Sequence, residues 1–341
     1  MYNEVSIYKK SQKRYRRLLV SGIVLVVTVF VMSLCLGNYK TTPTDVLASL
    51  IHPGTNPQTH KIVILSRMPR LLASILVGAS LSVAGLTYQE IFSNRMASPD
   101  LLGVSAGAGV GASISIFYGF SFLLTGFIAF VGGIFAVSLT LFSAKLFGKN
   151  DKSSASLILA GIVVGGLMNS LLGLFKYMSN DSQLASITFW LLGGFYHTTY
   201  VQLLFATPLI LTGIIILFLL RWKIVMLRSG DNDAYIHGIN AKLLRRICII
   251  ITTTITAVSI CISGTIGWIG LAIPNLMRLL VRNDGRKLMP LSIIYGILFT
   301  EICDLLARTI TKTEIPVGII SGFIGAVMFV IVLQIQAKRS L

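Results

Sequence analysis

The stretch LLVSGIVLVVTVFVMSLCL, residues 18–36, holds no charged side chain across 19 positions. An α-helix needs roughly 20 apolar residues to cross a hydrocarbon core, so this segment reads as a membrane span. Similar windows recur to the end of the chain, at 18–37, 68–90, 101–118, 121–147, 156–178, 200–220, 243–263, 268–282, 288–309 and 316–337. The eighth is too short to cross alone. Residues 184–196 (LASITFWLLGGFY) make half a span, fit for an outer interfacial or re-entrant helix. Composition agrees: of 341 residues 54% are hydrophobic and 12% charged, with mean hydropathy +0.82. Soluble proteins carry about 25% charged residues, which excludes a soluble enzyme. The chain reads as an all-α polytopic membrane protein of about ten transmembrane helices.

Six basic residues, Lys9, Lys10, Lys13, Arg14, Arg16 and Arg17, precede the first span. They look like the start of a signal peptide, but the apolar run is long and no small-x-small site follows, so the span is expected to stay uncleaved. With the N-terminus inside and sides alternating, only Lys40, Lys61, Arg67, Arg70, Lys176, Arg308 and Lys312 of the 29 lysines and arginines fall outside. Basic residues collect in cytoplasmic loops, so both termini are expected to be cytoplasmic. The same rule explains the net charge of +17 without a nucleic-acid partner. The organisation is a basic cytoplasmic tail over 1–17, one transmembrane domain over 18–337 and a cytoplasmic C-terminus over 338–341. Within it, 38–66 is an outer segment and 221–242 the longest cytoplasmic one.

No motif points to catalysis. There is no G-x-x-x-x-G-K-[ST]; Gly148-Lys149-Asn150 lacks both the leading glycine and the hydroxyl. No H-E-x-x-H pair occurs, and His52, His60, His197 and His237 are scattered. A G-x-S-x-G elbow is absent, and the loop histidines 52 and 60 are expected to be solvated. Cys35, Cys248, Cys261 and Cys303 lie in apolar windows without metal-ligand spacing, as inert packing residues do. No metal or cofactor is expected in this chain.

Gly103, Gly107 and Gly111 recur at four-residue steps, as do Gly161 and Gly165. Small-x-x-x-small spacing lets helix backbones approach closely in lipid. Packing within the chain is the expected use, a pore-facing or dimer-facing role the alternative. Glu301, Asp304 and Arg308 share one helix face. Asp304 and Arg308 can pair at i, i+4, which leaves Glu301 either protonated or facing a polar cavity, since charge is costly at such depth. Arg67-Met68-Pro69-Arg70 opens the second span, with proline tolerated in the first turn. Its arginines read as snorkelling anchors or, because outer arginines are disfavoured, as contacts for an anionic partner.

Six stretches together resemble the FecCD-type permeases of ABC importers for iron–siderophores, haem and cobalamin. They are RMPRLLASILVGASLSVAGLTYQEIFSNRMASPDLLGVSAGAGVGA (67–112), LILAGIVVGGLMNSLL (157–172), FWLLGGF (189–195), GDNDAYIHGIN (230–240), GTIGWIGLAIPNLMRLLVRNDGRKLMPLS (264–292) and DLLARTITKTEIPVGIISGFIGAVMFV (304–330). The resemblance implies a cobalamin-permease-like, type II importer architecture in a bacterial cell membrane. It implies as partners a second permease copy or a paralogous permease, two cytoplasmic ATPase subunits that bind ATP and Mg, and an extracytoplasmic substrate-binding protein. No cofactor is implied for this chain beyond those held by the ATPase.

Residue roles follow from the same resemblance. Arg67, Arg70 and Arg308 match the outer arginines that meet glutamates of the binding protein. Gly230, Ala234, Gly238, Ile239 and Asn240 match the segment that couples to the ATPase, with His237 where leucine is usual. Asn94 and Met96 belong to an inner turn, Asn94-Arg95-Met96-Ala97, that has arginine in place of the family's proline. Ser154 stands at a second inner constriction. Gly161, Gly165 and Asn169 are expected to face the dimer axis and line the passage. The expected cargo is an iron–siderophore, with haem or a cobalamin-like chelate as the other choices. The rival reading is a proton-coupled secondary transporter using Glu301 and Asp304.

Overall fold

The computed structural model describes residues 2–37, 39, 41–51, 57–147, 154–281 and 284–340. Among them are fourteen α-helices and no strand. α1 (Tyr2–Cys35) covers the first window and runs on through the basic tail. Its 34 residues span about 51 Å at 1.5 Å per residue, well beyond a core of about 30 Å. From Tyr2 onward the basic tail is thus part of the same helix as the first span. The segment 38–66 contributes α2 (Pro43–Ile51), α3 (Pro57–Lys61) and a π-helical turn (Ile62–Arg67) that leads into α4 (Met68–Ile91).

The remaining helices are α5 (Val104–Phe117), α6 (Phe122–Phe147), α7 (Ser154–Met178), α8 (Asp181–Leu192), α9 (Tyr200–Met226), α10 (Asp231–Ile236), α11 (Ala241–Ser263), α12 (Ile269–Val281), α13 (Gly285–Thr309) and α14 (Val317–Ser340). Eight helices are long and apolar enough to cross a membrane, and α5 and α12 are shorter apolar ones. Together they fill the ten windows. Arg67, Arg70 and Arg308 mark one end of the bundle, and α10 lies at the other.

α4 is the central helix because its small residues let neighbours close on it. A Cβ at Gly85 would lie 1.9 Å from the Gly270 carbonyl of α12, and one at Gly78 would lie 2.5 Å from the Gly296 carbonyl of α13. Apolar helices gain little from leaving lipid for each other, so such close backbone packing drives their association. Gly107 and Gly111 meet the backbone of α6 at Gly132 and Ile128 in the same way. Their four-residue spacing serves packing between α5 and α6.

α8 does not cross. Asn180 and Gln183 form a capping box at its start, and Gln183 Nε2 donates to the carbonyl of Phe117 at the end of α5. Its other end lies inside the bundle, where Gly193 adopts φ 67°. Gly194 N donates to Ser263 O at 2.7 Å, Thr265 Oγ1 to Leu191 O, and Gly318 N to Gly193 O. Ser259, one turn before Ser263, touches Ser80 of α4, about 18 Å along that helix from Met68. The junction is at mid-depth, and the half-span is re-entrant. Broken backbone inside a membrane needs such partners.

Candidate functional site

At the first end, Arg67 closes the π turn, Arg70 lies in the first turn of α4, and Arg308 lies in the last turn of α13. All three are only 5–6% exposed. Arg70 Nε donates to Asp304 Oδ1 at 2.6 Å and Nη1 to Glu314 Oε2 at 2.6 Å. Arg308 Nε lies 3.2 Å from Asp304 Oδ2, and its Nη groups donate to the carbonyls of Leu36 and Ser33. Arg67 meets no carboxylate among the described residues. It donates to the carbonyls of Leu34 and Tyr39 and, at 2.8 Å, to Thr41 Oγ1. The three guanidiniums expected at the outer end are thus turned into the chain. Two of the charges are answered within the chain; Arg67 and Arg308 tie the end of α1 to α4 and α13, and Arg70 ties α4 to α13 and Glu314. Glu301 is fully buried, and neither of its oxygens has a hydrogen-bond partner.

At the other end, residues 230–240 form a bracket around α10. Gly230 (φ 113°) and Gly238 (φ 71°) flank α10 in conformations that favour glycine. Ile239 N donates to Ala234 O, and Asn240 Oδ1 caps α11 by accepting from Leu243 N at 3.1 Å. Ala234 is fully buried, whereas Tyr235 is 80% and Ile236 77% exposed. The bracket plants one small residue in the core and presents two apolar side chains to the outside. Arg245 of α11 grips Asp231 through two hydrogen bonds, 2.6 and 2.9 Å, and its Nε donates to Ile91 O at the end of α4. Those bonds hold the Asp231 carboxyl below its usual range. The pair is therefore intact at neutral pH, and its contribution is lost only as pH falls through that lowered value.

The Asn94–Ala97 turn is closed by its own hydrogen bonds. Asn94 Oδ1 accepts from Met96 N at 2.9 Å, Ala97 N donates to Asn94 O, and Asn94 N donates to Gln89 O. Met96 is exposed. Behind this turn lies a buried network that sequence reasoning missed. Arg278 of α12 pairs with Glu90 of α4 at 2.7 Å and also donates to Gln89 Oε1. Asn275 Nδ2 donates to Arg95 O at 2.9 Å, and Gln89 Nε2 to Gly270 O at 3.2 Å. Arg278 reads as a loop charge because it sits near the end of the short eighth window. The overlooked signal was Glu90, a carboxylate at the edge of an apolar span, which calls for a partner. Arg245 and Arg278 both hold the α10 end of α4, joining the 230–240 bracket, the 94–97 turn and α12.

The structure separates the three path candidates. A Cβ at Gly161 would lie 1.8 Å from the Leu101 carbonyl, so this glycine is a packing contact. Nothing lies within 4 Å of a Cβ at Gly165, and Asn169 is exposed. Cysteines at 165 and 169 should react with water-soluble thiol reagents in at least one transport state, while one at 161 stays protected and lowers the melting temperature. Equal labelling at all three would contradict this division. Ser154 is the first residue of α7. His52 and residues 148–153 lie outside the described residues. His60 is half-buried, its Nδ1 2.8 Å from Ser49 O, rather than solvated. The four cysteines are unpaired, and among the described residues no group of three or more His, Cys, Asp or Glu side chains could hold a metal ion.

The profile of the FecCD transport family matches residues 24–334. The molybdate import system permease protein MolB of Haemophilus influenzae is 34% identical, over 92% of this chain and 94% of that protein. A Helicobacter pylori permease named for an iron chelatin transport system is also 34% identical, over 90% of this chain and 94% of its own. The solved structure of an inward-facing metal-chelate type ABC transporter superposes with a TM-score of 0.84 at 30% identity, covering 94% of this chain and 99% of that one.

Proposed function

This chain belongs to the FecCD transport family, and from that membership we propose that it carries an iron–siderophore inward across the cell membrane. It is the permease subunit of an ABC importer, and ATP is hydrolysed by a separate chain. In this reading the α10 end is cytoplasmic, as are both termini, and a pair of permeases meets two ATPase subunits there and a binding protein at the arginine end. The observation that carries the mechanism is the α10 bracket, with Tyr235 and Ile236 offered to a partner from a fixed base. A passage between two permeases also suits the cargo. The cavity lined by Ser98, Asp100, Ser105 and Thr256 inside the bundle measures about 190 Å³, below the roughly 300–1,000 Å³ of sites for drug-sized ligands. The open face at Gly165 and Asn169 is where two copies would enclose a larger space.

Iron chelate as cargo is supported by the Helicobacter relative and by the metal-chelate type transporter. A second reading, molybdate, has the equally similar Haemophilus protein behind it. Isothermal titration of the cognate binding protein separates them: sub-micromolar binding of a ferric siderophore with none of molybdate supports the first, and the reverse supports the second. The proton-coupled alternative lapses, because Asp304 is held between two arginines and ATP supplies the energy.

Docking of the binding protein at the arginine end now centres on Arg67, whose charge no carboxylate among the described residues answers. Arg67→Glu should weaken association by about 2–5 kcal/mol, the cost of losing one desolvated pair, and a glutamate-to-arginine change on the binding protein should restore part of it. Unchanged pull-down by Arg67→Glu would assign this arginine to holding the 34–41 turn alone. Arg70→Glu is no equivalent test, since it would crowd a third carboxylate against Asp304 and Glu314.

A further inference from the structure

A second cationic region lies at the α10 end, on the flank formed by α1, α9 and α13. The Arg286 guanidinium, in the first turn of α13, lies over the Trp222 ring, 4.3 Å from its centroid. The Arg221 guanidinium lies 3.9 Å from the centroid of Phe218 and donates to that residue's carbonyl at 2.8 Å. Arg221, Trp222 and Arg286 line a groove with Leu219. Neither arginine pairs with a carboxylate among the described residues. Asp284 is engaged by Lys287 at 2.9 Å and by the backbone N–H of Arg286. Lys287 Nζ in turn donates to Ser11 of α1. That contact sets α1 against this flank, and Lys9, Lys10, Lys13, Arg14, Arg16 and Arg17 of that helix are exposed.

We propose that this groove binds the phosphate head group of an anionic phospholipid between Arg221 and Arg286, with the acyl chains lying along Ile215 and Leu219 of α9. A guanidinium stacked on an aromatic face keeps its N–H edge free for a phosphate oxygen. The level is that of the lipid interface. The apolar run of α9 ends at Arg221, Trp222 sits beside it as tryptophans do at head-group depth, and Ile215 and Leu219 below are exposed. The six basic residues of α1 add attraction to an anionic leaflet, worth about 5-fold in affinity for each residue near the surface. A water-soluble protein partner would leave the Ile215–Leu219 face in hydrocarbon unused. The site depends on no choice of cargo.

The test is native mass spectrometry of the full chain after equilibration with phosphatidylcholine vesicles, alone or with one-fifth phosphatidylglycerol or cardiolipin. Wild type should retain the anionic lipid and melt higher with it. It should gain nothing from phosphatidylcholine or from inorganic phosphate. Arg221→Ala with Arg286→Ala should lower anionic-lipid affinity roughly 25-fold, about 5-fold per arginine, with the lipid-free melting temperature unchanged. Should that pair lower the melting temperature, Lys10→Gln with Lys13→Gln and Arg14→Gln, all exposed on α1, should still weaken retention. Equal retention of phosphatidylcholine, stabilisation by inorganic phosphate alone, or undiminished retention by the second variant would each overturn the site. So would loss of ATPase binding by the first variant with its lipid retention intact, since that result assigns the groove to a protein contact.

Discussion

Tyr235→Asp with Ile236→Asp should leave the bundle folded and abolish ATP-driven uptake. Both side chains are more than three-quarters exposed, so the folded chain loses little by the change. An ATPase groove that receives them loses two apolar anchors and gains two unpaired carboxylates. Truncation of one central interface anchor costs about 2 kcal/mol or more, roughly 30-fold in affinity, and two together should remove ATPase co-purification altogether. Gly238→Trp makes the companion test. No atom lies within 4 Å of a Cβ at Gly238, so the indole would project from the bracket into the docking space and add left-handed strain of about 1–2 kcal/mol. Normal uptake by either variant would remove α10 from the coupling role.

Glu90→Leu should be among the most damaging single substitutions in the chain. It strands the guanidinium of Arg278, a residue only 6% exposed, with the side-chain amide oxygens of Gln89 and Asn275 in place of a carboxylate. Breaking a buried pair from one side costs about 3–5 kcal/mol, whereas replacing both partners with apolar residues is often neutral. Glu90→Leu with Arg278→Met should therefore recover most of the melting temperature. It should not recover transport, because Gln89 and Asn275 would lose the neighbour that orders them behind the inner turn. A double variant that transports normally would reduce the network to a packing element.

Windows of hydropathy located the ten crossing or half-crossing helices because burial in lipid imposes length and apolarity on each segment separately. Local spacing also carried the glycine contacts of α5 with α6 and the Asp304–Arg308 pair. What it could not carry was pairing across the chain. Arg70 and Asp304 are 234 residues apart, and Glu90 and Arg278 are 188 apart, so a count of charges places them on sides of a membrane without revealing that they neutralise each other. The pairing of Arg70 with Asp304 and Glu314 was not legible for that reason. Gly161 and Gly165 share a four-residue step, yet only at Gly161 would a Cβ strike a neighbour, the carbonyl of Leu101, because that turn passes beside one of them and not the other. The continuation of α1 through six basic residues was hidden by their charge, although lysine and arginine are good helix formers.

Uptake into proteoliposomes tests the central claim most directly. The chain is reconstituted with its partner permease and ATPase, loaded inside with ATP and Mg, and supplied outside with the binding protein and a radiolabelled ferric siderophore. The account predicts accumulation that requires internal ATP and the binding protein, persists when any proton gradient is collapsed, and vanishes in Tyr235→Asp with Ile236→Asp. Accumulation that follows a proton gradient with no ATPase present would contradict it.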